Sequence, residues 1–568
     1  MSDGRSYASK EGMGGSLPSN RTEWLLVLFV VLALVWGLRL VHLQVIDADR
    51  NSEAGAQSRT VSIELPARRG TIYDRNGKVL ATSVEAVSVY ANPDEVEEVD
   101  FTARALADVL GGKAADYKDL LSQDGSFVYI KRKIDVEVGE ELKQLALGGI
   151  YFLEDTKRVY PYGKVAGQIL GFVGIDDDGL TGLELYYDDI LSGKPGKLVK
   201  QQGGGANPTP IPGGTEVDEP AVDGQDIVIS LDIDMQTYLE ERLALGVEEL
   251  GGNDGNAVLM DASTGEVIAM ASTPFFNPAD TSKVEEGATS AKSVTVQFEP
   301  GSIFKTVSAM ALLEAEAVTS QTEINCPARI QANEYYVSDA HERPDMVMDM
   351  RKIIADSSNV GVSLAVEQYL GFDALYDKIL AYGLNEPTGI DYPGEASGYL
   401  TNVDSWTHIQ QYNVTFGQGV SVTPVQMVRF YGALTNDGVA CTPHFLVSKP
   451  QSGETVEYKT ERIIKNKAAI PEMVSMLEAV VTEGTAKNAA IDGYTVAGKT
   501  GTAEFVDEDT GAYVANVYNL DFIGFLPGAS TPLVCFVGVS EVAYEGETVG
   551  MFKDIMTEAI SRYRIVQD

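Results

Sequence analysis

Two serines and two lysines carry the chemistry that this sequence could do. The first pair lies in Glu299-Pro300-Gly301-Ser302-Ile303-Phe304-Lys305. The Pro-Gly pair sets a turn, and Ile303, Phe304, Val307, Met310 and Leu312 follow at helical spacing, which predicts that Ser302 falls in the first turn of a buried helix. Residues three apart share a helix face, so the Lys305 amine can reach the Ser302 hydroxyl. Serine is a poor nucleophile until a neighbouring base takes its proton, and a lysine is that base only if burial or a nearby cation lowers its pKa. A helix N-terminus also favours the alkoxide that forms. Alone, Ser-x-x-Lys is equally a helix cap, because a pattern this short recurs by chance about once in a chain of this length.

Two further segments supply the context. Ser357-Ser358-Asn359 sits at a break between a helical stretch, 350–356, and an apolar helix predicted over 360–370. By itself it would read as an N-cap. Val496-Ala497-Gly498-Lys499-Thr500-Gly501-Thr502-Ala503 places a lysine among small residues, which would let a peptide approach the strand closely. A glycine-rich core strand accounts for the glycines but not for Lys499. Ser-x-x-Lys, Ser-x-Asn and Lys-Thr-Gly in this order are far more specific than any one of them, and together they point to an active serine that transfers acyl groups.

The elements that must position these residues follow from composition. At 568 residues with a formal net charge of −40, the chain is long enough for more than one domain and lacks the basic face that phosphate binding needs, so nucleic acid is not a partner. The three cysteines, Cys326, Cys441 and Cys535, are far apart and no histidine pair lies near them, which argues against a metal site. Cys535 lies in an apolar strand-like run, and pairing of Cys326 with Cys441 stays open.

Residues 1–23 read as a short cytoplasmic tail, and 24–46 as an uncleaved transmembrane signal anchor. The run from Trp24 to Leu38 has no charge, Arg39 can snorkel, and no small-x-small cleavage site follows. Positive-inside counting hardly decides orientation, with Arg5, Lys10 and Arg21 before the helix and Arg39, Arg50 and Arg59 after it. From 47 to 225 the pattern is mixed α/β, a pedestal that includes an Asn-Gly hairpin at 69–81 and a Gly/Pro-rich linker arm at 201–224. The catalytic unit is expected over 226–568. It opens with the strand 227–231, a helix over 234–249 and a second hairpin around Ser263-Thr264-Gly265. The fold class is therefore α/β (α+β).

Arg69 to Ala81, Arg158 to Pro161, Gly182 to Glu184, Phe298 to Lys305, and Phe416-Gly417-Gln418-Gly419 with Thr423-Pro424 resemble the class B high-molecular-mass penicillin-binding proteins. The resemblance covers nearly everything after residue 24. It is nearest to the septal, cell-division transpeptidases and their sporulation relatives, with the elongation type as the alternative. It implies an elongated pedestal, and a transpeptidase domain with a central antiparallel sheet flanked by helices. It also implies a D,D-transpeptidase that cross-links peptidoglycan stem peptides, with a carboxypeptidase side reaction and no cofactor or metal. Ser302 would be the nucleophile and Lys305 its base. Ser357 would relay the proton, while Asn359 would hold the substrate amide and help position Lys305. Lys499, Thr500, Gly501 and Thr502 would bind the terminal carboxylate, and the backbone N–H groups of Ser302 and Thr502 would form the oxyanion hole. Implied partners are β-lactams, the bacterial cell membrane through one helix with the catalytic domain outside the cytoplasm, a membrane glycosyltransferase and division proteins. A secreted β-lactamase shares the three motifs but would be much shorter, unanchored and equipped with a water-activating group. A β-lactam sensor or division scaffold without turnover is the rival of a different class.

Overall fold

The computed structural model describes residues 19–43, 60–201, 216–506, 513–543 and 546–567. They fall into two compact units, Met1–Leu65 with Pro195–Ala221, and Pro66–Lys194 with Val222–Asp568.

In the first unit a helix spans Ser19–Val41, and its window Trp24–Val41 is apolar and exposed among the described residues. Eighteen residues rise about 27 Å at 1.5 Å each, close to the thickness of a bilayer's hydrocarbon core. Such a helix loses nothing by exposure only if lipid is its solvent, and the protein is a single-pass membrane protein. Residues 44–46 of the expected anchor lie outside the described residues. The same unit holds a three-stranded antiparallel sheet in the order Thr60–Leu65, Gly196–Gln201, Glu216–Glu219. Of the expected linker arm, 202–215 lies outside the described residues, while Gln201 and Glu216–Glu219 are strand.

The second unit is built around two large sheets. In the first, β1 (Ile72–Tyr73) turns into β2 (Val79–Ala91) through Asp74, whose carboxylate accepts from the Asn76 and Lys78 amides (2.8 Å each), with Gly77 at φ 81°. A side chain that mimics a backbone turn, followed by a residue free to go left-handed, is why the Asn-Gly reading holds. Strands β3 (Val128–Asp135) and β4 (Ile150–Val159) both pair with β2. Beneath them Val87, Val89, Leu106, Leu142 and Ile150 form a small core of their own.

On its other side β1 pairs in parallel with β5 (Ile227–Ile229), which in turn pairs with Leu446–Lys449. The strand expected to open an independent catalytic unit thus lies in the middle of the pedestal sheet. The pedestal also holds a buried ionic cluster of its own. Glu184 accepts from Arg69 Nε (2.6 Å) and Arg158 Nε (2.7 Å), and all three side chains are buried. These are the charged positions of the three pedestal segments singled out above.

The second sheet is antiparallel, in the order Val267–Ser272 (β7), Asp254–Asp261 (β6), Leu533–Val542 (β10), Tyr513–Phe525 (β9), Ala497–Val506 (β8). Alternation separates its two faces. Gly255 faces Leu243 and Val247 of helix α1 (Ile233–Leu250), while Met260 and Ala262 face Gly432 of the helix Pro424–Thr435. Phe522 and Gly524 face Phe552 of the helix Val549–Tyr563, which leaves Asp521 and Ile523 on the opposite side, level with Gly501 and Lys499. That second face carries the site. Cys535 is fully buried on β10, and Cys326 and Cys441 are separate buried thiols, so the pairing left open is not made.

Candidate active site

Ser302 lies in a tight 3-10 turn, Gly301–Phe304, that runs directly into helix α2 (Lys305–Glu314). The turn fits into its surroundings only because two glycines meet there. Gly301 has φ 50° and donates to the Gly417 carbonyl (2.9 Å), and a side chain on Gly417 would collide with the Gly301 carbonyl at 2.2 Å. Glu299 accepts from the Gly419 amide (2.8 Å). The Phe416-Gly417-Gln418-Gly419 segment is therefore the seat of the serine turn. From beneath, the fully buried Tyr431 hydroxyl donates to the Ile303 carbonyl (2.9 Å) and meets the Thr306 hydroxyl at 2.6 Å.

The Lys305 side chain is fully buried, and its Nζ lies 2.9 Å from Ser302 Oγ. The same amine donates to the Ser357 carbonyl (2.6 Å) and lies 3.0 Å from Ser357 Oγ. Ser357 presents both oxygens because its backbone is left-handed, φ 59°, a conformation a non-glycine residue holds only when its surroundings enforce it. Its neighbour Ser358 is the N-cap of the helix Asn359–Ala365, accepting from the Gly361 amide. From β8, Lys499 Nζ reaches Ser357 Oγ at 2.9 Å and the Thr500 carbonyl at 3.3 Å. One hydroxyl thus sits between two buried amines, one of which touches Ser302 Oγ.

Burial pushes the Lys305 amine well below the ordinary lysine range, and the Lys499 cation pushes it further the same way; Asp339 opposes them. Burial alone brings Lys499 down to about 7. A low-dielectric pocket disfavours every charged form, and two ammonium groups around one serine disfavour each other. Both effects favour the unprotonated form of Lys305, which is the state a general base needs.

Among the described residues strand β8 is the edge of its sheet, a side along which a peptide can pair. Thr500 and Thr502 lie on it, with Gly501 between them facing Ile303 and Asp521. Asn359 differs from expectation. Its amide donates to the Ser338 carbonyl (3.0 Å), and the hydrogen bonds of Lys305 go to Ser302 and Ser357, so Ser357 provides the support for Lys305 that the resemblance gave to Asn359.

Two contributors escaped the sequence reading. The Thr485 hydroxyl meets that of Thr500 at 2.8 Å, and its amide donates to Ala355, two residues before Ser357. Glu483-Gly484-Thr485 after a helix reads as an ordinary C-cap. Asp339 binds the Ser-x-Asn segment from a loop far from any motif.

Comparison with known proteins gives the family. Residues 255–557 match the penicillin binding protein transpeptidase domain, and 64–229 match the penicillin-binding protein dimerisation domain. Stage V sporulation protein D of Bacillus subtilis is 32% identical over 91% of this chain and 81% of its own length. Peptidoglycan D,D-transpeptidase FtsI of Escherichia coli is 31% identical over 92% of this chain and 87% of its own. Among solved structures, penicillin binding protein 3 from Mycobacterium tuberculosis in complex with aztreonam superposes with a TM-score of 0.69 at 26% identity, over 88% of this chain and 97% of that one. With a dimerisation region ahead of a transpeptidase region and full-length relatives of both division and sporulation type, the chain belongs to the class B penicillin-binding proteins and is septal-like among them.

Proposed function

We infer that the protein is a peptidoglycan D,D-transpeptidase that works through a serine acyl-enzyme in septal wall synthesis. The observation that carries this reading is the line of contacts Ser302 Oγ, Lys305 Nζ, Ser357 Oγ, Lys499 Nζ, with both amines fully buried.

Lys305, unprotonated, accepts the Ser302 proton as Oγ adds to the carbonyl of the penultimate D-alanine of a stem peptide. The backbone N–H groups of Ser302 and Thr502 hold the oxyanion, a contribution on the order of 3 kcal/mol per donor. The proton passes through Ser357 to the departing amine as the peptide C–N bond breaks. Lys499 with Thr500, Gly501 and Thr502 holds the terminal carboxylate, and Asn359 holds the substrate amide. An amine from a second stem peptide then attacks the ester, forms the cross-link and returns the proton to Ser302. A β-lactam enters the same path and stays on the serine.

The division of labour along the chain belongs to the same proposal. Residues 1–23 are the cytoplasmic tail, 24–46 the anchor, 47–225 the pedestal and 226–568 the transpeptidase region, with the chemistry outside the cytoplasm, where peptidoglycan is. A membrane glycosyltransferase and division proteins are the partners, docking on the helix and pedestal.

The test is covalent labelling of the detergent-solubilised full chain with a fluorescent penicillin, wild type beside Ser302→Ala, with the adduct located by peptide mass spectrometry. Labelling on the peptide that carries Ser302, absent from the variant, is expected. An adduct on any other residue sinks the assignment.

A further inference from the structure

Ser357 holds an unfavourable backbone conformation, and something outside its own segment must enforce it. The groups that touch this segment identify the agent. Asp339 directly follows the hairpin formed by Arg329–Ala332 and Tyr335–Ser338, and its side chain is only 10% exposed. Its carboxylate accepts from the Ser358 hydroxyl (2.8 and 3.0 Å) and, through Oδ1, from the Val360 amide (2.9 Å). Asn359, between these two, is tied to Ser338 on the same loop. Three consecutive residues after Ser357 are thereby fastened to residues 338 and 339. Arg343 Nε donates to Asp339 Oδ2 (2.6 Å), and its Nη1 donates to the Cys326 carbonyl (2.9 Å), which anchors the carboxylate in turn.

We propose that Asp339 is a positioning residue for the acylation step, holding Ser357 against Lys305 through Ser358 and Val360. This rests on the reading of Ser302 and Lys305 as nucleophile and base.

Two charges act on Lys305: Lys499, from β8, and Asp339, from the hairpin exit. Asp339 is itself faced by Arg343. Asp356, next in the chain to Ser357, is exposed and paired with Lys352. Removing the Asp339 charge leaves Lys305 with a cation and no anion, so its proton is lost at lower pH. Removing the Arg343 charge unmasks the carboxylate and does the reverse.

The experiment measures the second-order rate of penicillin acylation against pH for the full chain, with Asp339→Asn, Arg343→Gln and Ser302→Ala, alongside thermal unfolding of each. Asp339→Asn is expected to acylate at least tenfold more slowly at pH 7.5, and its acidic limb is expected to move to lower pH. Arg343→Gln is expected to move that limb to higher pH. A purely structural carboxylate would lower the unfolding midpoint and leave both limbs in place. If Asp339→Asn does not fold, the direction of the Arg343→Gln limb decides. Limbs coincident with wild type overturn the inference about Asp339 while leaving the active serine intact; labelling of Ser302→Ala at the wild-type rate overturns the active serine itself.

Discussion

Asp521 lies on β9 in the slot between Gly501 and Gly538, and one of its carboxylate oxygens has no hydrogen-bond partner. Burial pushes this acid up to about 8, so at neutral pH the folded protein carries it as the neutral form. In the unfolded chain an aspartate releases its proton near 3.9. Between those two values the native state binds a proton that the unfolded state has lost, and by linkage stability falls as pH rises through the window. A neutral replacement removes that dependence. The unfolding midpoint of Asp521→Asn should match wild type near pH 4 and exceed it at pH 8, with the gap opening steadily between. Fluorescence-monitored melts across that range check this, and curves that stay parallel would mean that the carboxyl has found a partner. The flanking glycines explain why the group sits so close to the serine turn: a β-carbon on Gly501 would lie 3.1 Å from Ile303, the residue after Ser302.

The turn after the helix Ile470–Thr482 shows how much of the site depends on elements that carry no chemistry. Gly484 packs so tightly on the C-terminal end of the helix Met350–Ala355 that a β-carbon there would lie 2.1 Å from the Ala355 carbonyl. Its φ is not in the left-handed region, so steric crowding is the reason for glycine. Gly484→Ala must push the turn, and with it the Thr485 hydroxyl bonded to Thr500, off its seat on Ala355 and Val480, at a cost of about 1–3 kcal/mol for overpacking. Urea unfolding should register that loss, and penicillin acylation should slow at least tenfold because Ser357 and Thr500 shift together; a variant with lowered stability and an unchanged acylation rate would count against this coupling. Such couplings mark the limit of the sequence. Ser302 and Lys305 were legible because three residues on a helix fix their distance. Lys499 was legible because nothing structural asks for a lysine among glycines. The left-handed backbone of Ser357 and the parts played by Asp339 and Thr485 were not, since they depend on contacts fifteen or more residues away, and periodicity carries no information about those. For the same reason Arg69, Arg158 and Glu184 could be singled out one by one but not joined.

At the scale of the second unit, pedestal and transpeptidase regions share structure that a boundary at 225/226 would divide. Ile227 and Ile229 are fully buried, and β5 receives its hydrogen bonds from β1 on one side and Leu446–Lys449 on the other. Asp391 gathers the Tyr187 hydroxyl (2.5 Å), the Tyr458 hydroxyl (3.2 Å) and the amides of Phe445 and Leu446 (2.7 Å each), one donor from the pedestal and three from beyond it. Glu240 accepts from the Ala166 amide across the same join. Cutting the chain at 226 strips an edge of β5, leaves Asp391 and Glu240 short of donors in apolar surroundings, and exposes the side chains that cover α1; each unpaired buried group costs about 1–3 kcal/mol, against a total stability of roughly 5–15 kcal/mol. A fragment of 226–568 is therefore expected to aggregate or to remain unlabelled by penicillin, whereas a fragment of 60–568, which keeps every strand of both sheets, should label at the rate of the full chain. Size-exclusion chromatography followed by labelling distinguishes the two, and a monomeric 226–568 fragment that acylates at the wild-type rate would show that the shared sheet is dispensable for catalysis.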